Sequence, residues 1–239
     1  MRDKLIRIAT SYKAIPFCLF LLVIFIVAMK QPLMQQTSAT KGYTYLALGD
    51  SYTIGEQVEA KDNFPNQVVA LLKEKKIIFQ PVKIIAQTGW TTDKLQSAIK
   101  KTNVQRHYDF VTLLIGVNNQ YRGRKVVDYI PDFESLLKQA IRFAGNDTNH
   151  VIVLSIPDWG ATPFAEGRDR IQIAKDIDEY NAASELIAAK YKVQYINITK
   201  STREATKDAS LLTTDSLHPS GKEYAKWAKE VAAFIHEKL

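Results

Sequence analysis

Five short apolar runs, at residues 43–48, 82–86, 110–115, 151–156 and 193–198, recur along the chain with room for a helix between each pair. Each is rich in β-branched and aromatic residues, nearly continuous in apolar residues, and too short for a stable helix. That is the pattern of a strand covered on both faces. Between the runs, apolar positions repeat with helical spacing. Val68, Leu71 and Leu72 mark one face after Pro65, and Ile171, Ala174, Ile177 and Leu186 mark a second. Near the C-terminus Tyr224, Trp227, Ala228, Val231, Phe234 and Ile235 continue the same period. Alternating strands and helices predict an α/β domain: a parallel sheet with helices on both faces. Ligands of such sheets bind beyond the carboxyl ends of the strands.

The first 40 residues break this pattern. Residues 1–13 carry Arg2, Lys4, Arg7 and Lys13 against Asp3, and residues 14–29 form a run of 16 without a charge. A basic stretch followed by an apolar one reads as a targeting segment, either a cleaved signal peptide or a signal anchor that tethers the chain to a membrane. The run is slightly shorter than the roughly 17–25 residues of a spanning helix. The positive flank keeps the N-terminus cytoplasmic and sends the rest of the chain out. The organisation expected is a leader with a short linker over residues 1–40 and one exported domain over residues 41–239.

Composition changes the picture in two places. Net charge is +7, but five Lys and Arg against one acid lie before residue 41, so only about +3 belongs to the domain. Nucleic-acid binding normally shows a concentrated basic stripe, and this chain has none. Cys18 is the only cysteine and sits inside the leader, which leaves the domain without a disulfide, a thiol nucleophile or a thiolate metal site.

The first apolar run passes directly into Gly49-Asp50-Ser51. A serine at the end of a strand can be a turn residue or a nucleophile, and a nucleophile needs a base held in one tautomer by a third group. Of four histidines, His107, His150 and His236 read as surface or strand-flanking residues. His218 stands in TTDSLHPSG, three residues after Asp215 and next to a proline. That spacing on one turn lets the carboxylate reach the near imidazole nitrogen and leaves the far one for the serine. Acyl transfer also needs hydrogen-bond donors for an oxyanion. Gly89 follows the second run, and Gly116 and Asn118 follow the third. Taken singly, these are ordinary turn residues.

Taken together and in order, Ser51, Gly89, Asn118 and Asp215-x-x-His218 resemble the four blocks of the SGNH (GDSL-type) hydrolase family. The resemblance spans residues 45–219. It implies a three-layer α/β/α sandwich with a five-stranded parallel sheet of flavodoxin-like type, and a serine ester hydrolase. It also implies a triad of Ser51, His218 and Asp215, an oxyanion hole made by the N–H groups of Ser51 and Gly89 with the Asn118 amide, and no cofactor or metal. Two positions depart from the family pattern. Tyr52 replaces the usual leucine after the serine, and Asn119 replaces the aspartate that commonly follows the asparagine. Thr53 two residues after the serine argues against the G-x-S-x-G elbow.

The substrate is less constrained. After the fourth run, residues 155–169 form a long Pro/Gly/aromatic loop on the same rim. Trp90, Tyr121, Trp159 and Phe164 are candidates to line an acyl or sugar pocket, and equally to anchor loops. Arg122 and Arg124 either greet an anionic substrate or solvate their loop. Without a long insertion, short acyl esters of carbohydrates or small lipids are favoured. An acyltransferase with the same triad and a non-catalytic carbohydrate- or lipid-binding module are the competing readings. A nucleotide- or flavin-binding protein would show a phosphate loop, which the Gly-Asp-Ser turn is not.

Overall fold

In a computed structural model of the chain, residues 42–105 and 107–239 are described; the apolar leader lies outside them. Five parallel strands form one sheet in the order β2-β1-β3-β4-β5. They are β1 Tyr45–Asp50, β2 Lys83–Gln87, β3 Phe110–Leu114, β4 Val151–Leu154 and β5 Gln194–Ile196. The expected sandwich is present, with five strands where five apolar runs lie. Only the inner three, however, are buried along their whole length. The edge strands β2 and β5 are partly exposed, because a strand with one neighbour has one flank of its faces uncovered.

Among the described residues, eight α-helical segments connect and cover the sheet: α1 Ser51–Ile54, α2 Phe64–Glu74, α3 Thr92–Lys101, α4 Val117–Tyr121, α5 Val126–Phe143, α6 Arg170–Lys190, α7 Thr199–Thr202 and α8 Gly221–Lys238. α2 packs on α8, and α5 packs on α3 and α6, which gives the two helical layers. Phe64 and Trp227 meet across the α2–α8 seam with ring centroids 6.2 Å apart. Val68, Leu72, Tyr224, Trp227, Ala228, Val231 and Ile235 are buried there, as their spacing predicts.

α6 corrects the sequence reading. Ile171 and Leu186, expected on its buried face, are 85% and 73% exposed. The face that packs inward carries Ile173, Ile177, Tyr180, Asn181, Ser184 and Ile187. Two polar residues in that stripe interrupt the apolar period, so the helix turns its polar-interrupted side to the sheet. Asn181 is there for its hydrogen bonds to the loop after β4.

Candidate active site

The sheet order places the ends of β1, β2 and β3 side by side. In register, Asp50 lies opposite Gln87, and Gly49 opposite Leu114. The loops that leave those ends therefore share one rim. β1 stops at Asp50 because that residue caps the next turn: its Oδ1 accepts from the Tyr52 N–H at 3.1 Å, and the short α1 begins at Ser51. Gly55 closes α1 in the left-handed conformation. Ser51 is thus the first residue of a helical turn at a strand end, 3% exposed.

Gly89 stands in the turn after β2, where the Trp90 N–H reaches the Gln87 carbonyl at 3.2 Å. It takes φ 75° as the turn's third residue, a conformation that glycine adopts without steric cost. Its carbonyl accepts from Arg122 Nη2 at 2.9 Å, which ties this turn to the end of α4. Gly116 opens α4 after β3 with φ 135°, and a side chain there would meet the Tyr129 ring at 2.8 Å. Two residues on, Asn118 Nδ2 donates to Asp50 Oδ2 at 3.2 Å, bringing the asparagine beside the serine. Asp50 is fully buried. Burial pushes its carboxyl up to about 7, against the pull of the hydrogen bonds from Tyr52 and Asn118.

The histidine arrives from the other end of the chain. Residues 213–218 fold into a turn closed by the Thr213 N–H on the His218 carbonyl at 2.8 Å. Ser216 supplies the left-handed corner with φ 60°. Asp215 Oδ1 gathers the N–H groups of Leu217 and His218, each at 2.9 Å, and the Thr213 hydroxyl at 2.7 Å. Its Oδ2 meets His218 Nδ1 at 2.6 Å. Partial burial would raise the Asp215 carboxyl, but the hydrogen bonds from His218, Thr213 and Leu217 outweigh it and hold the group at about 2. The carboxylate is therefore ionised over the whole neutral and mildly acidic range. On the far side, His218 Nε2 lies 3.0 Å from Ser51 Oγ. An ionised acceptor on Nδ1 fixes the tautomer that leaves Nε2 free to take the serine proton.

Beside His218 a mostly apolar recess of about 130 Å³ is lined by Tyr52, Val117, Tyr121, Trp159, Phe164 and Leu217. Three of the four candidate aromatics meet here: ring centroids of Tyr121 and Trp159 are 5.1 Å apart, and Phe164 is 6.2 Å from each. Trp90 is not with them; it packs half-buried against the main core. Arg124 turns away to pair with Asp93 at 2.6 Å, which accounts for it as a loop residue.

Sequence reasoning did not single out several residues on which this geometry depends. Gln120 Oε1 accepts from the Trp159 indole at 2.7 Å. Asn181 holds both backbone groups of Ile156, and Arg203 pairs with Asp158 at 2.8 Å. Each lies far along the chain from its partner, so no local spacing advertises it. Asn119 also finds its explanation. Its amide Nδ2 donates to the Thr92 hydroxyl at 2.8 Å, its Oδ1 accepts from the Thr92 N–H at 3.1 Å, and the Thr92 hydroxyl donates on to Asp132 at 2.9 Å. The negative charge sits one link further out, on α5. Among the described residues no group of three His, Cys, Asp or Glu side chains is placed to hold a metal ion.

The fold has counterparts among solved structures. An acetylxylan esterase from Geobacillus stearothermophilus superposes with a TM-score of 0.64 at 19% identity, covering 82% of this chain and 94% of that one. A lipase/acylhydrolase from Enterococcus faecalis gives 0.62 at 19% identity, covering 82% and 97%. A lipolytic protein of the G-D-S-L family from Veillonella parvula gives 0.57 at 20% identity, covering 79% and 97%. No curated protein matches the chain by sequence. The family description "GDSL-like Lipase/Acylhydrolase family" matches over residues 47–226, a span that runs from β1 through the histidine turn into α8. The chain belongs to the GDSL-like lipase/acylhydrolase family and is a carboxylic ester hydrolase.

Proposed function

We propose that this chain is an exported serine esterase acting on short-chain acyl esters, with Ser51 as nucleophile, His218 as general base and Asp215 as its orienting partner. The observation that carries the reading is the continuous contact from Ser51 Oγ to His218 Nε2 at 3.0 Å and from His218 Nδ1 to Asp215 Oδ2 at 2.6 Å. Ser51 Oγ attacks the ester carbonyl carbon as its proton passes to Nε2. The oxyanion is met by the N–H groups of Ser51 and Gly89 and by the Asn118 amide, whose position beside Asp50 supports that role. Collapse breaks the bond to the alcohol oxygen, which takes the proton from His218. Water then adds to the acyl-serine with the same proton traffic, and the acid leaves.

A small apolar recess favours short acyl groups, and the acetylxylan esterase among the structural neighbours makes acetylated carbohydrate the first substrate class to try. Export rests on the basic and apolar leader of residues 1–29; among the described residues no helix is long and apolar enough to cross a membrane. The test is hydrolysis of p-nitrophenyl acetate and of acetylated xylo-oligosaccharide by residues 41–239, as wild type and as Ser51→Ala. Acetate release that disappears in the variant is the expected result. Activity that survives Ser51→Ala, or an inactive wild type, overturns it.

A further inference from the structure

Tyr52 occupies the position after the serine where the family motif carries leucine. Its ring is buried, with its centroid 5.0 Å from that of the His218 imidazole at a tilt of 47°. Its backbone N–H is fixed on Asp50, so the side chain starts from a rigid point. Two cavities meet on it. The outer one is the recess beside His218, where Tyr121 and Phe164 stand 45% and 43% exposed. The inner one, of about 10 Å³ and mostly apolar, lies toward the start of α8 among Ala205, Leu211, Leu212 and Pro219, with Asp158, Thr162, Thr202 and Glu223 also on its wall. Tyr52, Trp159 and Leu217 line both.

The sizes decide what each can hold. An apolar cavity of about 150 Å³ takes one benzene ring, and a single water needs about 10–15 Å³. The outer recess, at about 130 Å³, therefore accepts a short acyl group, while the inner space is closed to anything larger than a water. Once acylation has released the alcohol to solvent, the acyl group stays bonded to Ser51 until water removes it, so the half-enclosed apolar recess suits the part that stays. Of the three residues shared between the cavities, Trp159 is pinned by its indole to Gln120 and Leu217 by its N–H to Asp215. The Tyr52 ring is the part of the wall whose length differs from the family's leucine.

We infer that Tyr52 is the residue that sets acyl length: its ring forms the end wall of the acyl pocket and shuts off a second apolar space that a shorter side chain would open. The inference rests on the serine-esterase reading above and adds a specificity residue to it. A leucine at this position ends where the outer half of the ring now begins, which would join the two spaces into one longer channel.

The experiment compares kcat/KM on p-nitrophenyl acetate, butyrate, hexanoate and octanoate, read as the octanoate-to-acetate ratio so that any general loss from repacking His218 cancels. In wild type the ratio is expected to lie at least about tenfold below one, since misfit of even one methylene is worth about tenfold or more. Tyr52→Leu is expected to raise it at least about tenfold by the same measure, while Tyr52→Phe, which keeps the ring, leaves it unchanged. Adding Ala205→Met to Tyr52→Leu refills the inner space and is expected to return the ratio toward wild type. A wild type that hydrolyses octanoate as readily as acetate overturns the inference even if the leucine variant fails to fold. So does a folded Tyr52→Leu with an unchanged ratio, or a double variant no different from it. Ser51-dependent hydrolysis of acetate with those outcomes leaves the esterase reading standing; no hydrolysis of any ester removes both.

Discussion

Two loops meet at the active rim, and they are held in opposite ways. The turn of residues 213–218 is nearly self-sufficient: Asp215 collects the Thr213 hydroxyl and the N–H groups of Leu217 and His218, and Thr213 closes on the His218 carbonyl. The loop of residues 155–169 depends on remote elements. Asn181 on α6 holds Ile156, Thr202 and Arg203 hold Asp158, Gln120 on α4 holds Trp159, and Ser216 receives the Phe164 N–H. The difference follows from what each loop presents. A base must keep one orientation to within a few tenths of an ångström, which a tight network of charge-assisted bonds secures. An apolar wall needs only its surface in place, and ties to several distant elements suffice for that.

The sharpest way to break the comparison is at the self-contained turn. Asp215→Asn should lower kcat about 10⁴-fold on p-nitrophenyl acetate, because the neutral amide can no longer fix the reactive imidazole tautomer. In wild type the Asp215 carboxyl sits at about 2, below its unfolded value. Its contribution to stability is thus complete above the ordinary carboxylate range near 4, declines as pH falls below it, and is lost as pH falls through about 2. Denaturant midpoints followed from pH 6 to pH 2 should show that loss in wild type and not in Asp215→Asn.

Next in size, Asn118→Ala should cost about 10²–10³ in kcat with little change in KM, the signature of a donor used mainly in the transition state. A rise in KM at constant kcat would instead make Asn118 a substrate-binding residue.

The remotely held loop responds differently. Asn181→Leu leaves the Ile156 N–H without its partner, at a cost of about 1–3 kcal/mol for a buried group left unpaired, while the Ile156 carbonyl keeps the Thr199 hydroxyl. Urea unfolding should show the loss, and the effect on activity should grow with acyl length, since the displaced loop carries Trp159 and Phe164. A variant that kept its stability but lost acetate hydrolysis would mean that this loop positions the base as well as the wall.

The smallest effect is expected at Asn119. In Asn119→Asp the new carboxylate can no longer donate to Thr92, and the single Thr92 hydroxyl proton would be contested by two acids, the new one and Asp132. A destabilisation of about 1 kcal/mol follows, to be recovered in Asn119→Asp/Asp132→Asn. A double-mutant cycle with no coupling would show that the charge on α5 does not replace the one missing from the motif.

What the sequence determined by itself was whatever short-range chemistry fixes. Short, nearly continuous apolar runs placed all five strands, and the spacing from Asp215 to His218 contains the turn that joins them. Gly89 was legible as a turn glycine because its φ of 75° is one that other residues adopt at a cost. What only the tertiary structure decided was which distant groups come together. The buried face of α6 runs through Ile173, Ile177, Tyr180 and Ile187 together with Asn181 and Ser184, not through Ile171 and Leu186, and Trp90 stays against the core while Tyr121, Trp159 and Phe164 gather beside His218. Tyr52 stands in the sequence only as a departure from the family's leucine, and the structure adds that it lines two cavities. Hydrogen bonds within one turn leave a trace in sequence because backbone geometry sets their spacing. Contacts between elements leave none, because the strand order and the packing of helices on the sheet choose the partners.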